Sequence, residues 1–228
     1  MGEITLVVIG ILIALAINNK NHKRQIEKNE EIYLTGLKEE FNTSKMKLAN
    51  LIAINQANYI GAKEILRHAT SNEVPSEIEF SKLLYNTFST DIAFNPNNSL
   101  LFEMINSGNL KNLSSTELRK QLANWTATME DISRQEEELA IQREKVLDMF
   151  RTNKNSLKTI FQHAGVYDDL ELFKAENEVS NLALLRSTEF ENNVLMFILT
   201  THATEKAHYD PLMQDIDGIL ELINNERN

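Results

Sequence analysis

The strongest constraint on this chain's fold is an apolar repeat between residues 115 and 152. Leu118, Trp125, Ile132, Leu139 and Val146 recur every seven residues. Leu122, Met129, Glu136, Arg143 and Phe150 recur every seven with an offset of four. A seam of this period is stable only on a helix that faces other helices. Two seam positions, Glu136 and Arg143, are charged and lie one heptad apart. They are expected either near water at an exposed part of the seam or paired with charges on a facing helix, with the solvated arrangement favoured.

Composition agrees with a helical chain. The 228 residues include only 7 Gly and 3 Pro, where average usage would give roughly 27. Sandwiches and barrels spend Gly and Pro on frequent turns, so an all-β fold is excluded. The absence of Cys removes disulfides, thiolate metal sites and cysteine nucleophiles. A net charge of −10 argues against nucleic acid as a partner.

Ile4–Ile17 reads ITLVVIGILIALAI, uncharged throughout. As a helix it is about 21 Å long, and residues 1–19 would make about 28 Å, against a hydrocarbon core of about 30 Å. Three structures fit the run: a membrane anchor, a signal peptide cleaved near Ala14-Leu15-Ala16, or a buried core helix. The expectation is the anchor, over residues 1–19, followed by a helical bundle domain over 20–228. Lys20, Lys23 and Arg24 follow the run and suit anionic headgroups. Gly10 and Ala14 share a helix face at the small-residue spacing that lets two membrane helices approach closely.

The segment GEITLVVIGILIALAINNKN resembles the opening signature of a family of uncharacterised bacterial membrane proteins of Bacteroidetes type, written GEI-x-LVVIGILIAL-x-INNWN. A weaker likeness covers Ser107 to Trp125, SGNLKNLSSTELRKQLANW. Lys20 stands where the family places Trp, and Met1 stands where members carry a basic stretch, so the natural chain is expected to extend upstream. The resemblance implies a single-pass anchor in the bacterial inner membrane and a helical domain. It places that domain in the periplasm, whereas Lys20, Lys23 and Arg24 taken alone would hold it in the cytoplasm. The family brings no activity with it.

Along the rest of the chain, Leu34, Leu37, Phe41, Leu48, Ile52, Tyr59, Ala62 and Leu66 mark a helix from Ile26 to Leu66. Lys45 and Asn55 interrupt its face, and Gly36 and Gly61 lie within it. Shorter helices are expected at 76–90, 99–106 and 157–163, the latter two stopped by Gly108 and Gly165. Ser114 with Glu117 has capping-box spacing ahead of the heptad helix. A weak helix is expected at 168–185, and a last long one at 189–225. In the last, VLMFIL (194–199) reads as the most buried turn, and Pro211 predicts a kink. The expected fold is thus all-α: a membrane helix, then an antiparallel bundle framed by long coiled-coil-like helices near 20–70, 115–152 and 188–226.

Residues that could carry chemistry are few. Glu205-Lys-Ala-His208 is a single Glu-x-x-His, whereas di-iron bundles use two with further carboxylates. No phosphate loop, nucleophile elbow or zinc motif is present. Arg119 reads as a structural ion-pair partner. No metal or cofactor is expected and the chain reads as no enzyme. The expected function is a membrane-tethered scaffold or interaction module. Its partners are the lipid bilayer and either a second copy or another membrane protein. The alternative is an extracytoplasmic ligand-sensing bundle acting through a partner.

Overall fold

The computed structural model describes residues 2–71, 73–174 and 177–226, with side chains from residue 7 onward. Its elements are all helical among the described residues. In chain order they are α1 (Gly2–Thr70), α2 (Glu77–Phe88), α3 (Ser99–Asn106), a 3-10 turn (Asn109–Asn112), α4 (Thr116–Asp148), α5 (Leu157–Ala164) and the single turn α6 (Val166–Asp169). A second 3-10 segment (Leu182–Arg186), α7 (Thr188–Ala203), a π-helical turn (Thr204–Tyr209) and α8 (Asp210–Glu226) complete it.

Why α1 runs unbroken is visible in its buried positions. Leu34, Leu37, Phe41, Ser44, Leu48, Leu51, Asn55, Asn58, Ala62 and Ile65 are all buried, and their spacing alternates strictly between three and four. This is a seam with three polar residues in it. Lys45 is not on it: that side chain is half exposed and pairs with Asp217. Leu51 and Ile65, rather than Ile52 and Leu66, face the core.

The contacts divide the chain into two compact units. The first contains residues 1–45, 96–125 and 215–228, and the second contains 46–95 and 126–214. In the first, Leu37 and Phe41 of α1, Leu101 and Met104 of α3, Leu118, Leu122 and Trp125 of α4, and Ile216, Ile219 and Ile223 of α8 are all buried. The Trp125 ring stands edge-on to Phe41 with centroids 4.9 Å apart. Carboxylates of α1 hold the connecting loops. Glu40 accepts from the Leu100 and Leu101 amides at 2.7 and 3.2 Å, supplying the cap that Asn98 leaves unmade at α3. Glu30 accepts from the amide and hydroxyl of Ser114. Ser114 is therefore not the α4 cap; the Ser115 hydroxyl accepts from the Leu118 amide instead.

In the second unit, Phe80, Phe150 and Phe190 pack edge to face, with Phe190 6.3 and 6.0 Å from the other two. Phe88 meets Phe197 at 5.0 Å in the same way. Gly61 is placed so that a Cβ would collide with the Thr87 hydroxyl, which lets α1 and α2 approach closely. Ser76 and Glu79 form a capping box at the start of α2.

Two expectations need correction. The helix expected at 168–185 is not continuous: it reduces to the turn α6 at its start and the 3-10 segment Leu182–Arg186 at its end, and the chain leaves helical geometry at Glu171, with φ of 55°. Asn181 exchanges hydrogen bonds with the Ser156 backbone, and its own amide goes to Glu77, so that stretch is held by long-range bonds instead. The VLMFIL turn is buried on one side only, since Leu195, Met196 and Leu199 are exposed. A bundle helix has one inward face, so a continuous apolar run must also point outward. Among the described residues no helix is long and apolar enough to cross a membrane. The described side chains of the N-terminal run begin at Val7, and those of Met1–Leu6 lie outside the described residues.

Pro211 takes effect one turn upstream. It has no N–H to give to the residue four before it, and its ring crowds that carbonyl. The wide turn at Thr204–Tyr209 absorbs this and carries the helix through without a break.

Candidate ligand pocket

Near the middle of α4 the seam changes character within the second unit. Glu136 is buried at 8% exposure, so the solvated reading of this position is overturned. Its Oε1 accepts from the Tyr209 hydroxyl at 2.6 Å and from the Phe94 amide at 2.8 Å. Burial pushes the Glu136 carboxyl above the usual glutamate range, against the pull of those two donors. Burial, then the bond to Glu136, also pushes the Tyr209 phenol up. The π-helical turn ends at Tyr209 and positions its hydroxyl for this bond.

One heptad on, Arg143 is half-buried and does not pair with Glu136. Its Nε donates to the Phe88 carbonyl at 2.7 Å, and its Nη1 meets Glu144 Oε1 at 3.1 Å. Arg143 also lines a cavity of about 430 Å³. The walls are Leu84 and Phe88 of α2, Leu147 of α4, Phe150 just beyond it, Ile160 of α5 and Val166 of α6. The polar rim is Arg143, Glu144 and Arg151, with Ser89 beside them. Size and lining fall in the range of small-molecule sites.

The remaining candidates are dispersed. Gly10 and Ala14 lie on a fully exposed part of α1, and a Cβ on Gly10 would meet nothing. Lys20, Lys23 and Arg24 are exposed, with Lys23 3.7 Å from Glu27. Arg119 donates to the Leu113 carbonyl and the Thr116 hydroxyl, which makes it a loop staple rather than an ion-pair partner. Glu205 is buried and accepts from Gln56, while His208 faces Asp131 at 3.4 Å. Among the described residues no cluster of three or more His, Asp or Glu is placed to hold a metal.

A family model described as "Family of unknown function (DUF6090)" matches residues 3–129, more than half of the chain. The chain belongs to this family. The DUF6090 match takes in both segments quoted for the resemblance, Gly2–Asn21 from Glu3 onward and Ser107–Trp125. The second segment builds part of the first unit: Gly108 adopts φ of 70°, Asn109 donates to the Tyr33 hydroxyl at 3.0 Å, and Leu113, Leu118, Leu122 and Trp125 are buried. No curated protein and no solved structure matches the chain.

Proposed function

We propose that this DUF6090 member is a non-enzymatic, membrane-tethered helical interaction module. One observation carries the reading. Val7, Val8, Ile9, Ile11, Leu12, Ile13, Leu15 and Ile17 are all about half exposed or more, and they cover every side of α1. Soluble monomers rarely leave so continuous an apolar surface in water. Together with the uncharged residues before it, the run has the makings of an anchor, and Lys20, Lys23 and Arg24 follow at headgroup depth. The bilayer is the first partner. A second copy, meeting at Gly10 and Ala14, is the second. The basic stretch that the resembled signature carries ahead of Gly-Glu-Ile favours a bundle on the periplasmic side of a bacterial inner membrane.

Fractionation of cells expressing the gene tests the tether. The protein is expected in the membrane pellet after a carbonate wash. Recovery in the soluble fraction refutes an integral anchor, and a mature chain starting near Ile17 supports a cleaved signal peptide instead.

The cavity beside Arg143 favours a second reading, a sensing bundle that passes ligand occupancy to a partner protein.

A further inference from the structure

We propose that the groove between α2, the end of α4, α5 and α6 binds an apolar-bodied monoanion, an aliphatic or aromatic acid of single negative charge, with Arg151 and Arg143 receiving the acid head. The proposal deepens the sensing reading and rests on it; it does not depend on the tether.

The walls argue for the body. Leu84, Phe88, Leu147, Phe150, Ile160 and Val166 offer hydrocarbon surface, and Tyr85 and Ser89 are the hydroxyl-bearing residues of the lining. A ligand polar along its length would find few replacements there for its water contacts. The volume of about 430 Å³ suits a small molecule and excludes a folded partner.

The rim argues for the charge. Two guanidiniums share one lining carboxylate: Glu144 Oε1 meets Arg143 at 3.1 Å, and Glu144 Oε2 meets Arg151 at 2.6 Å. Asp148, which is not among the lining residues, also reaches Arg151, at 2.7 Å. Both bonds of Arg151 leave from Nη1. Its Nε and Nη2 make no hydrogen bond among the described residues, and this edge is the one that grips a carboxylate with two parallel bonds. Arg143 spends Nε and Nη2 on the carbonyls of Phe88 and Ser89, which fix its position without neutralising its charge. Within the lining two guanidiniums face one carboxylate, with Asp148 pairing Arg151 from outside it. A cation finds no free carboxylate there, and a neutral alcohol leaves the Arg151 edge without its ionic partner.

The test uses the full chain in lipid nanodiscs and titration calorimetry with octanoate, 1-octanol and octylammonium. Octanoate is expected to saturate at one per chain. Shortening it towards butanoate weakens binding about two- to fourfold per CH₂. Arg151→Gln, at an exposed position that leaves the fold intact, is expected to weaken octanoate about tenfold and leave octanol unchanged. Val166→Trp, which fills the groove, is expected to abolish both, with helicity by circular dichroism confirming that the variant is folded. Failure of octanoate to saturate overturns the proposal. So does octylammonium binding as well as octanoate, or Arg151→Gln binding octanoate like the wild type. A chain that washes off membranes yet binds octanoate sinks the tether alone; a membrane-held chain that ignores octanoate sinks this proposal alone.

Discussion

The Tyr209 hydroxyl donates a 2.6 Å hydrogen bond to Glu136 Oε1 inside the second unit, joining residues 73 positions apart. The Phe94 amide reaches the same oxygen at 2.8 Å. One buried carboxylate thus holds the turn that ends at Tyr209 and the loop around Phe94 against the middle of α4. Tyr209→Phe removes one charge-assisted donor and is expected to cost about 1.5–3 kcal/mol. Glu136→Ala leaves two buried donors without a partner and is expected to cost at least as much. Urea melts of both single variants and the double variant should show strong coupling between them. Additive costs would mean that the pair does not form.

The pH dependence follows from the same carboxylate. Burial raises the Glu136 pKa above its ordinary 4.5. Below that ordinary value the group is protonated both folded and unfolded, and its contribution to stability is fully present. As pH rises through the raised folded-state value, a charge must be held in the interior, and that stability is lost. Glu136→Gln keeps an oxygen for Tyr209 and Phe94 and removes the charge. It is expected to be more stable than the wild type at pH 8, with the advantage vanishing near pH 4. Melts over that range check this; parallel pH profiles for the two proteins would overturn it.

What the sequence made legible follows from which residues fill the inward positions. The α4 seam holds from Leu118 to Phe150, with only Met129 and Arg143 less than buried, because apolar spacing marks it almost throughout. The α1 seam was legible only in part, because Ser44, Asn55 and Asn58 occupy inward positions, of which only Asn55 was read, as an interruption, while Lys45 was placed on the face beside Ser44. Ser44 is satisfied by the Asn97 backbone, which it both donates to and accepts from, a partner with no local signal. The same holds for Glu136, whose burial depends on Tyr209. The pocket draws on α2, α4, α5 and α6, and the seam reading marked Phe150 as apolar and Arg143 as a charge without joining them to a cavity. Spacing along one helix cannot reveal a cavity whose walls come from four separate segments.

Gly61 tests the close approach of α1 and α2. In an exposed helix a Gly→Ala change would stabilise by about 1 kcal/mol. Here a Cβ would collide with the Thr87 hydroxyl, which is itself bonded to the Leu83 carbonyl at 2.7 Å. Gly61→Ala is therefore expected to destabilise, and Thr87→Ser, which removes the methyl, is expected to change little. A Gly61→Ala chain that melts later than the wild type would show that the helices can separate at no cost.

Trp125 anchors the first unit. It is 2% exposed and stands edge-on to Phe41. Trp125→Ala is expected to cost about 3–5 kcal/mol from lost burial and the cavity left behind. Trp125→Phe keeps a ring against Phe41 and should recover part of that loss. Chemical denaturation ranks the two; equal costs would mean that the ring contact contributes nothing beyond volume.

Self-association through the N-terminal run can be tested without disturbing the chain's own packing. A Cβ on Gly10 would meet nothing, and Ala14 is exposed, so leucine fits at both positions in an isolated chain. In a pair of helices meeting along that face, the same leucines would force the backbones apart and remove the close packing that drives association in lipid. Gly10→Leu with Ala14→Leu is therefore expected to lose most of a dimer band on crosslinking in membranes, with the second unit's melting and octanoate binding unchanged. An undiminished dimer band in the double variant would move the contact to another face of α1. No dimer in the wild type would remove the second copy from the list of partners and leave the bilayer as the surface that covers this run.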